Sequence, residues 1–237
     1  MFTKQPPGLF ITGTDTGVGK THAACCIARA LVAAGRRVGV YKPAASGCVI
    51  RAGCVESDDA IALWEAAGRP GSLDDVCPQR YVAPLAPHLA ARYEGREIDA
   101  GLLRTGLEKW QAKSDFVIVE GAGGLMSPIG DQEYVADLAI EIGYPLVIIA
   151  PNVLGVINQT LQTVLAAKHF KTGIRVAGVI LNDIRACDPA SDPSVLINKT
   201  ELARHVSVPV LGTIAYGAQS LDCAGGLQAF FQQWRGT

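Results

Sequence analysis

Residues 13–21 have the composition of a phosphate-binding loop. They read GTDTGVGKT and lie between a predicted strand and a predicted helix. The strict P-loop pattern would place its first glycine at position 14, whereas here it is Gly13. Gly17 and Gly19 allow successive backbone N–H groups to face one concavity, and the helix N-terminus adds partial positive charge. Lys20 can reach the β- and γ-phosphates, and the Thr21 hydroxyl can ligate Mg²⁺. A glycine-rich turn before an ordinary helix explains fewer of these features, so we predict a nucleoside triphosphate site.

A second acidic element lies at residues 115–124, which read DFVIVEGAGG. An apolar strand that ends in Glu120 and continues into glycines presents this carboxylate at the carboxyl edge of a sheet, where ligands bind in open α/β folds. The alternative is a glutamate that ends a strand in solvent. Because the glycines permit close approach of a ligand, we predict that Glu120 is a Mg²⁺ ligand facing Thr21.

Two further charged residues have a less specific context. Lys42 follows the predicted strand at 37–41 and could stabilise an anion in the same cleft, but a lysine at a strand end is more often a solvated surface charge. Asp59 lies in a segment, 56–60, that is typical of a helix N-terminus, where acidic residues are common for capping alone. Position alone leaves both roles open.

The elements that must position these residues alternate along the chain. Short apolar runs predict strands and amphipathic stretches predict helices. Continuous apolar strands separated by helices are typical of a parallel sheet covered on both faces. We therefore predict an α/β fold, a single P-loop-type doubly wound domain over residues 1–237 with a mostly parallel central sheet flanked by helices on both faces. The predicted strands are 9–12, 37–41, 116–119, 146–149, 176–181 and 208–212, the predicted helices are 21–33, 58–67, 99–112 and 221–234, and 187–194 is predicted to be a loop.

Composition and charge argue against several classes of protein. The chain has 21 Lys+Arg against 22 Asp+Glu and a net charge of −1, which disfavours a nucleic-acid partner. No apolar run is long enough to span a membrane and residues 1–7 have no signal-peptide pattern, so we expect a cytoplasmic protein without a membrane partner. The seven scattered cysteines include no C-x-x-C and indicate neither a disulfide framework nor a zinc site; the adjacent Cys25 and Cys26 are expected in the core.

Taken together, these motifs resemble those of the dethiobiotin synthetases, ATP- and Mg²⁺-dependent enzymes that close the ureido ring in biotin synthesis. The combination of the Thr-Asp-Thr loop, a Lys-Pro segment and Glu-Gly-Ala-Gly-Gly is far more specific than a P-loop alone, and the matches follow the family's order along nearly the whole chain. The matching residues are 13–16, 19–21, Lys42-Pro43, Ser46-Gly47, Asp59-Ala60, Pro87-His88, 120–124, Leu154-Gly155, Ile157-Asn158 and Asn182-Asp183.

The resemblance implies an activity. One amine of 7,8-diaminononanoate (diaminopelargonate) takes up CO₂ as a carbamate, which attacks the γ-phosphate of ATP. The second amine then displaces phosphate from the carbamic–phosphoric anhydride and closes the ring of dethiobiotin, the penultimate step of biotin biosynthesis. ATP is the co-substrate and becomes ADP, Mg²⁺ is the cofactor, bicarbonate is the source of CO₂, and the enzyme is a C–N bond-forming cyclo-ligase that works as a homodimer.

The resemblance also implies residue roles. Lys20, Lys42 and Thr16 would be catalytic, and Thr21, Asp59 and Glu120 would hold Mg²⁺. The diamine and carbamate site would comprise Thr16, Lys42, Ser46 and, reaching across from the partner subunit, Asn158. Asn182 would bind the nucleotide base. The full nucleotide and metal set would be Gly17, Val18, Gly19, Lys20, Thr21, His22, Asp59, Glu120, Gly121, Ala122, Gly123, Asn182, Asp183, Ala215, Tyr216 and Gly217.

Four positions depart from the family's usual pattern. Leu125 replaces an aromatic residue, Gly17 stands where an acidic residue also occurs, and Ala86 replaces a hydroxyl residue before Pro-His. Residues 215–217, in the segment expected to bind the base, lack the proline that is often found there. These departures leave phosphoryl transfer intact and leave the nucleotide-base preference open.

Two other P-loop classes are alternatives. A cobyrinic acid amidating synthase would need an additional glutaminase domain, for which 237 residues leave no room. A switch ATPase of the cell-division and partitioning type carries an extra lysine early in its loop, where this chain has Asp15, and usually a basic or amphipathic element that binds membrane or DNA. The sequence shows no such element, so both alternatives are disfavoured.

Overall fold

The central sheet has six strands, and all neighbouring pairs in it are parallel. The computed structural model describes residues 6–186 and 188–223. The strand order is β10-β9-β8-β1-β7-β2. The apolar runs predicted as strands therefore form a parallel sheet, as expected, and β10 begins directly after Pro209 at the sheet edge. The six strands are β1 (Gly8–Gly13), β2 (Val38–Tyr41), β7 (Phe116–Gly124), β8 (Leu146–Pro151), β9 (Val176–Asn182) and β10 (Val210–Ile214).

Four short strands lie outside this sheet. Strands β3 (Ala44–Ala45) and β6 (Gln79–Arg80) form one parallel pair. Strands β4 (Val49–Arg51) and β5 (Cys54–Glu56) form a hairpin, and its two turn residues, Ala52 and Gly53, both have positive φ. The hairpin lies between Lys42 and Asp59 in the chain, so it joins two segments of the candidate site.

The helices pack on the sheet from two sides. Helix α1 connects β1 to β2 in one direction across the sheet, whereas α7, α8 and α9 connect strands in the opposite direction. Since such connections are right-handed, the two groups cover opposite faces, and the change of direction opens a crevice at the carboxyl end of β1. The helices are α1 (Lys20–Ala33), α2 (Asp58–Ala66), α3 (Leu73–Val76), α4 (Pro87–Tyr93), α5 (Leu102–Thr105), α6 (Glu108–Lys113), α7 (Val135–Ile142), α8 (Val156–His169) and α9 (Asn198–His205).

One predicted helix is wrong: residues 99–112 form the two short helices α5 and α6. Between them, Gly106 lies against the ring of Tyr41, where an added Cβ would be 2.4 Å from the tyrosine oxygen. The Tyr41 hydroxyl donates a hydrogen bond to the Leu102 carbonyl at 2.6 Å. Leu107 then bonds to the carbonyl three residues before it, which interrupts the α-helical pattern. A distant side chain therefore breaks a helix that local periodicity predicts as continuous.

The C-terminal predictions are only partly covered by the structure. Residues 221–223 are not helical, and Asp222 instead pairs with Thr213 in an antiparallel bridge. The remainder of the predicted helix, 224–234, lies outside the described residues. Within the predicted loop at 187–194, residue 187 is also outside them, and a 3₁₀ helix, Pro193–Leu196, begins before its end.

The core confirms the expectation for the adjacent cysteines. Cys25 and Cys26 are buried in α1 together with the strand residues Leu9, Phe10 and Ile11. None of the helices in the described part of the chain has the length and apolar character needed to cross a membrane.

Candidate active site

The predicted phosphate loop joins β1 to α1 at the crevice. Gly17 and Gly19 have φ values of 76° and 88°, in the left-handed region that favours glycine. A Cβ on Gly19 would lie 2.1 Å from the Asn182 amide nitrogen. That nitrogen donates a hydrogen bond to the Val18 carbonyl at 3.0 Å. Asn182, at the end of β9, therefore packs against the phosphate loop, and only glycine fits at position 19.

Four side chains meet beside the loop in an ionic cluster formed by Thr21, Lys42, Asp59 and Glu120. The Lys42 Nζ atom lies 2.6 Å from Glu120 Oε1 and 3.0 Å from Asp59 Oδ2. The Thr21 hydroxyl donates to the same Glu120 oxygen at 2.7 Å. Lys42 is 4% exposed and Glu120 1%. The interpretation of Lys42 as a solvated surface charge is therefore wrong.

The sheet register explains why residues so distant in sequence meet. Strand β7 lies between β1 and β2, with Ile11 opposite Glu120 and Tyr41 opposite Val119. Lys42 follows Tyr41 directly, so its side chain and that of Glu120 leave the same edge of the sheet. Parallel neighbouring strands bring their carboxyl ends together, which builds this part of the site from backbone pairing.

A helix cap places the second carboxylate. The Ser57 hydroxyl accepts a hydrogen bond from the Ala60 N–H at 3.2 Å and caps α2, as expected from the sequence of this segment. Asp59 is then held in the first helical turn, where it pairs with Lys42. Its side chain is 56% exposed, so the cluster is accessible from solvent at this carboxylate.

The charges within the site shift one another's pKa values. Burial alone would lower the pKa of Lys42, but the carboxylates of Glu120 and Asp59 outweigh burial and raise it above its ordinary value. Desolvation dominates at Lys20 and lowers its pKa, although the Glu120 carboxylate partly offsets the effect. For Asp59, desolvation is outweighed by the nearby Lys42 ammonium, and its pKa is lowered. Lys42 and Asp59 are therefore held in their charged forms.

The donor atoms of the cluster fit a magnesium ion. Among the described residues, buried Glu120 Oε2 has no hydrogen-bond partner, while Glu120 Oε1 bonds to Thr21 and shares Lys42 with Asp59. Carboxylate and hydroxyl oxygens are the ligands that Mg²⁺ prefers, and it is usually bound by one or two carboxylates together with substrate phosphates. The part of the chain that the structure describes contains no group of three or more His, Cys, Asp or Glu residues suited to a metal ion. The carboxylates of Asp59 and Glu120 and the hydroxyl of Thr21 would fit a metal ion whose remaining ligands come from phosphate and water.

Other predicted residues lie at the rim of the crevice. The Thr16 Oγ1 atom lies 3.6 Å from where a Cβ on Gly123 would be, so the phosphate loop and the end of β7 approach closely. Lys20 folds back and its Nζ donates to the Asp15 carbonyl at 2.9 Å. His22 lies in the first turn of α1, and its buried Nε2 atom has no hydrogen-bond partner within residues 6–186 and 188–223. Gly121 and Ala122 continue β7 beyond Glu120.

Several predicted residues are not joined to the ionic cluster. Among the described residues, no hydrogen bond or ion pair connects the cluster with Ser46, Asn158, Asp183 or residues 215–217. Ser46 is partly buried after β3, Asn158 is exposed in the first turn of α8, and residues 215–217 form an exposed segment after β10. Their predicted roles stay predictions.

Sequence analysis missed three supporting residues. The Ser127 hydroxyl accepts a hydrogen bond from the Gly124 N–H at 2.8 Å and holds the turn after β7. The buried Asn198 amide donates to Asn152 Oδ1 at 3.0 Å, and Asn152 in turn donates to Asp183 at 2.8 Å. A serine three residues after a glycine is a typical local turn signal and could have indicated the first contact. The asparagine chain depends on tertiary packing and has no local signal.

A cavity of about 420 Å³ lies next to the phosphate loop and away from the cluster residues, none of which lines it. It is bounded by the start of the loop, the turn after β7 and the middle of α8. Its lining mixes the polar side chains of Thr14, Ser127 and Gln162 with the apolar ones of Leu125 and Met126.

Comparison with known proteins agrees with these motifs. The family model described as an AAA domain matches residues 7–221. An ATP-dependent dethiobiotin synthetase BioD from Rhodopirellula baltica is 43% identical over 86% of this chain and 82% of its own length. The protein of the same name from Anaeromyxobacter dehalogenans is 45% identical over 83% of this chain and 84% of its own, and that from Aromatoleum aromaticum is 37% identical over 94% and 98%.

Solved structures share the fold. The signal recognition particle receptor FtsY from Elizabethkingia anophelis superposes with a TM-score of 0.56 at 16% identity, over 97% of this chain and 66% of the receptor chain. This likeness shows a P-loop α/β architecture and nothing about the reaction. The curated relatives are similar enough, over enough of their length, to show the family. The chain belongs to the ATP-dependent dethiobiotin synthetase family.

Proposed function

We propose that the protein converts 7,8-diaminononanoate, CO₂ and ATP into dethiobiotin, ADP and phosphate. The observation that carries this proposal is the buried Lys42, paired with Glu120 and Asp59 directly beside a phosphate loop. A P-loop alone would suit many nucleotide enzymes. A second lysine at the same sheet edge supplies the additional positive charge that a carbamate beside a γ-phosphate requires.

In the first step, an amine of the substrate attacks the carbon of CO₂ and forms a carbamate, releasing a proton. A carbamate oxygen then attacks the γ-phosphorus as the bond to the ADP oxygen breaks. The second amine attacks the carbonyl carbon of the resulting anhydride, the C–O bond to phosphate breaks, the amine proton passes to the departing phosphate, and the ring closes. The substrate supplies both nucleophiles, so the protein needs to position reactants and stabilise charge rather than provide a nucleophilic Ser, Cys or His.

The chain's own residues divide this work. The loop amides and Lys20 bind the β- and γ-phosphates, and Lys42 neutralises negative charge shared by the γ-phosphoryl group and the carbamate. Thr21, Asp59 and Glu120 would hold Mg²⁺, which supplies charge neutralisation on the phosphate oxygens when bound. The hydroxyls of Thr16 and Ser46 would orient the diamine and carbamate.

The nucleotide base and the partner subunit occupy the other end of the site in this proposal. The Asn182 amide nitrogen donates to the Val18 carbonyl, but the buried Asn182 Oδ1 has no hydrogen-bond partner in the described part of the chain and can accept one. We assign this oxygen to the base, with Asp183 and residues 215–217 beside it. Asn158 would reach the diamine of the second subunit in a homodimer. The proposed enzyme acts in the cytoplasm on small molecules, without nucleic-acid or membrane partners.

The test is incubation of the purified protein with 7,8-diaminononanoate, bicarbonate, Mg²⁺ and ATP, with mass detection of dethiobiotin. We expect product to require all four components and ADP to form in step with it. The same reaction with the Lys42→Ala variant is the control for chemistry at the cluster. ATP hydrolysis at an unchanged rate without diamine and bicarbonate, and without product, would instead support a switch ATPase.

A further inference from the structure

Together with the neighbouring Lys20, the ionic cluster contains two ammonium groups and two carboxylates before any nucleotide is present, so these charges balance. The carboxylates of Glu120 and Asp59 act electrostatically on both ammonium groups. Lys42 Nζ bridges the two carboxylates at 2.6 and 3.0 Å. The negative charge of the two carboxylates suited to a metal ion is therefore already offset by an ammonium group that belongs to the protein.

A divalent ion and this ammonium group would share the same two carboxylates, because Lys42 contacts one oxygen of each, Glu120 Oε1 and Asp59 Oδ2. Mg²⁺ binds oxygen at about 2.0–2.1 Å, and two cations cannot both lie that close to one carboxylate without strong repulsion. Lys42 and Glu120 are almost completely buried, so solvent and salt screen this repulsion weakly. The two lysines and two carboxylates already have a net charge of zero. A free divalent ion that enters would therefore leave the site with an uncompensated charge of +2.

We propose that Lys42 is an internal counter-ion that excludes free divalent metal from the nucleotide-free site and couples metal entry to nucleotide binding. The inference rests on the metal site of the proposed function. A metal–ATP complex is a net anion, so the Lys42 ammonium can form an ion pair with its phosphates. The carboxylates of Glu120 and Asp59 are then free to bind the metal. One exchange thus fills the metal site and turns Lys42 toward the γ-phosphoryl group.

The experiment measures Mn²⁺ binding to the full-length, nucleotide-free protein by electron paramagnetic resonance of the unbound ion. The Lys42→Met variant removes the charge while keeping a side chain of similar length. We expect it to bind Mn²⁺ at least about tenfold more tightly than the wild type. The Lys42→Met/Glu120→Gln double variant removes the carboxylate as well and should lose that gain. Equal Mn²⁺ affinity of wild type and Lys42→Met would overturn the counter-ion role.

A second measurement needs no variant. Thermal unfolding of the wild type should be unchanged by Mn²⁺ alone and shifted upward by Mn²⁺ with ATP beyond the shift produced by ATP alone, because a ligand raises Tm only if it binds the folded state. A clear stabilisation of the nucleotide-free protein by Mn²⁺ that Glu120→Gln abolishes would contradict the proposal even if Lys42→Met does not fold.

Separate results would contradict the metal site and the counter-ion role of Lys42. If Glu120→Gln binds Mn²⁺–ATP as tightly as the wild type, the metal site itself is wrong and the counter-ion role falls with it. If Mn²⁺–ATP binding depends on Glu120 but Lys42→Met gains no affinity for free Mn²⁺, only the counter-ion role is wrong.

Discussion

The two ends of the crevice are built differently. At the carboxyl ends of β1, β7 and β2, charged side chains are buried and joined by short ionic and hydrogen-bond contacts, as Lys42 and Glu120 show. Beyond β9 and β10, residues 215–217 are exposed, and so is Asn158 in α8. The groups proposed for phosphoryl transfer are thus fixed by the fold itself, whereas most of those proposed for the base and the diamine lie free at the surface. Substitutions should therefore have large effects at the first end and small effects at the second.

The largest effect is expected for Lys42→Ala. It removes the charge proposed to stabilise the carbamate and leaves Glu120 and Asp59 without their buried partner. We expect dethiobiotin formation to fall by about 10³-fold, a loss typical of removing a group that stabilises developing charge. Breaking a buried ion pair from one side also costs about 3 kcal/mol of folding stability. Product assays and urea unfolding check the two parts, with exposed Lys113→Ala as the matched control; near wild-type turnover by Lys42→Ala would remove this residue from the reaction.

Gly19→Ala tests the support of the phosphate loop by Asn182. Position 19 has a left-handed backbone, which a Cβ disfavours, and the added Cβ would clash with the Asn182 amide, so we expect the KM for ATP to rise by about 10²-fold. Gly35→Ala is the matched control, because Gly35 also has a positive φ, 74°, but open space around its Cα. This control should lose about 1 kcal/mol of stability and keep its ATP affinity. A similar ATP KM in both variants would show that the Asn182 contact does not shape the loop.

Glu120→Gln tests the metal site at the buried end of the crevice. The amide keeps the shape of the side chain and loses the charge, so we expect about tenfold more Mg²⁺ to be required for half-maximal rate at saturating ATP. Titration of dethiobiotin formation against Mg²⁺ provides the measurement, and Glu65→Gln on the exposed part of α2 provides the control. An unchanged titration would place the metal elsewhere.

Tyr216→Ala should have the smallest effect. Tyr216 is 62% exposed and lies in the segment proposed for the base. We expect the KM for ATP to change by no more than about threefold, less than 1 kcal/mol, with the turnover number unaltered. Steady-state kinetics with ATP and with GTP would check this. A change as large as that for Gly19→Ala would mean that the exposed end is ordered around the nucleotide and that the contrast between the two ends disappears on binding.

The parts of the fold that follow from local pattern were predictable. The phosphate loop combines glycines at positive φ with Lys20 over nine residues, and the apolar strands are continuous runs, so each signal lies within one short window. The cap of α2 by Ser57 has the same local character. These local signals predict the fold class and the place of Glu120 and Thr21 at one edge of the sheet.

The remaining features depend on contacts that are distant in sequence. The burial of Lys42 follows from the place of β2 beside β7, which its own neighbours in the chain do not encode. The break between α5 and α6 follows from Tyr41, a residue of β2, and the support of Gly19 follows from Asn182 at the end of β9. The periodicity of a single sequence contains no information about contacts between distant residues. The predicted helix at 99–112 was therefore wrong, and the roles of Lys42 and Asp59 stayed open.

The β4–β5 hairpin is a place where the chain should tolerate an insertion without disturbing the site. Lys42 is anchored by the sheet and Asp59 by the capped helix α2, and their ion pair closes the intervening segment into a loop. The closure entropy of a flexible loop grows only with the logarithm of its length, by about 0.6 kcal/mol for each doubling. The tip at Ala52 and Gly53 is exposed, and a Cβ on Gly53 would meet no atom within 4 Å, so the tip offers a place for an epitope or a fluorescent label that leaves the spacing of the reacting groups untouched.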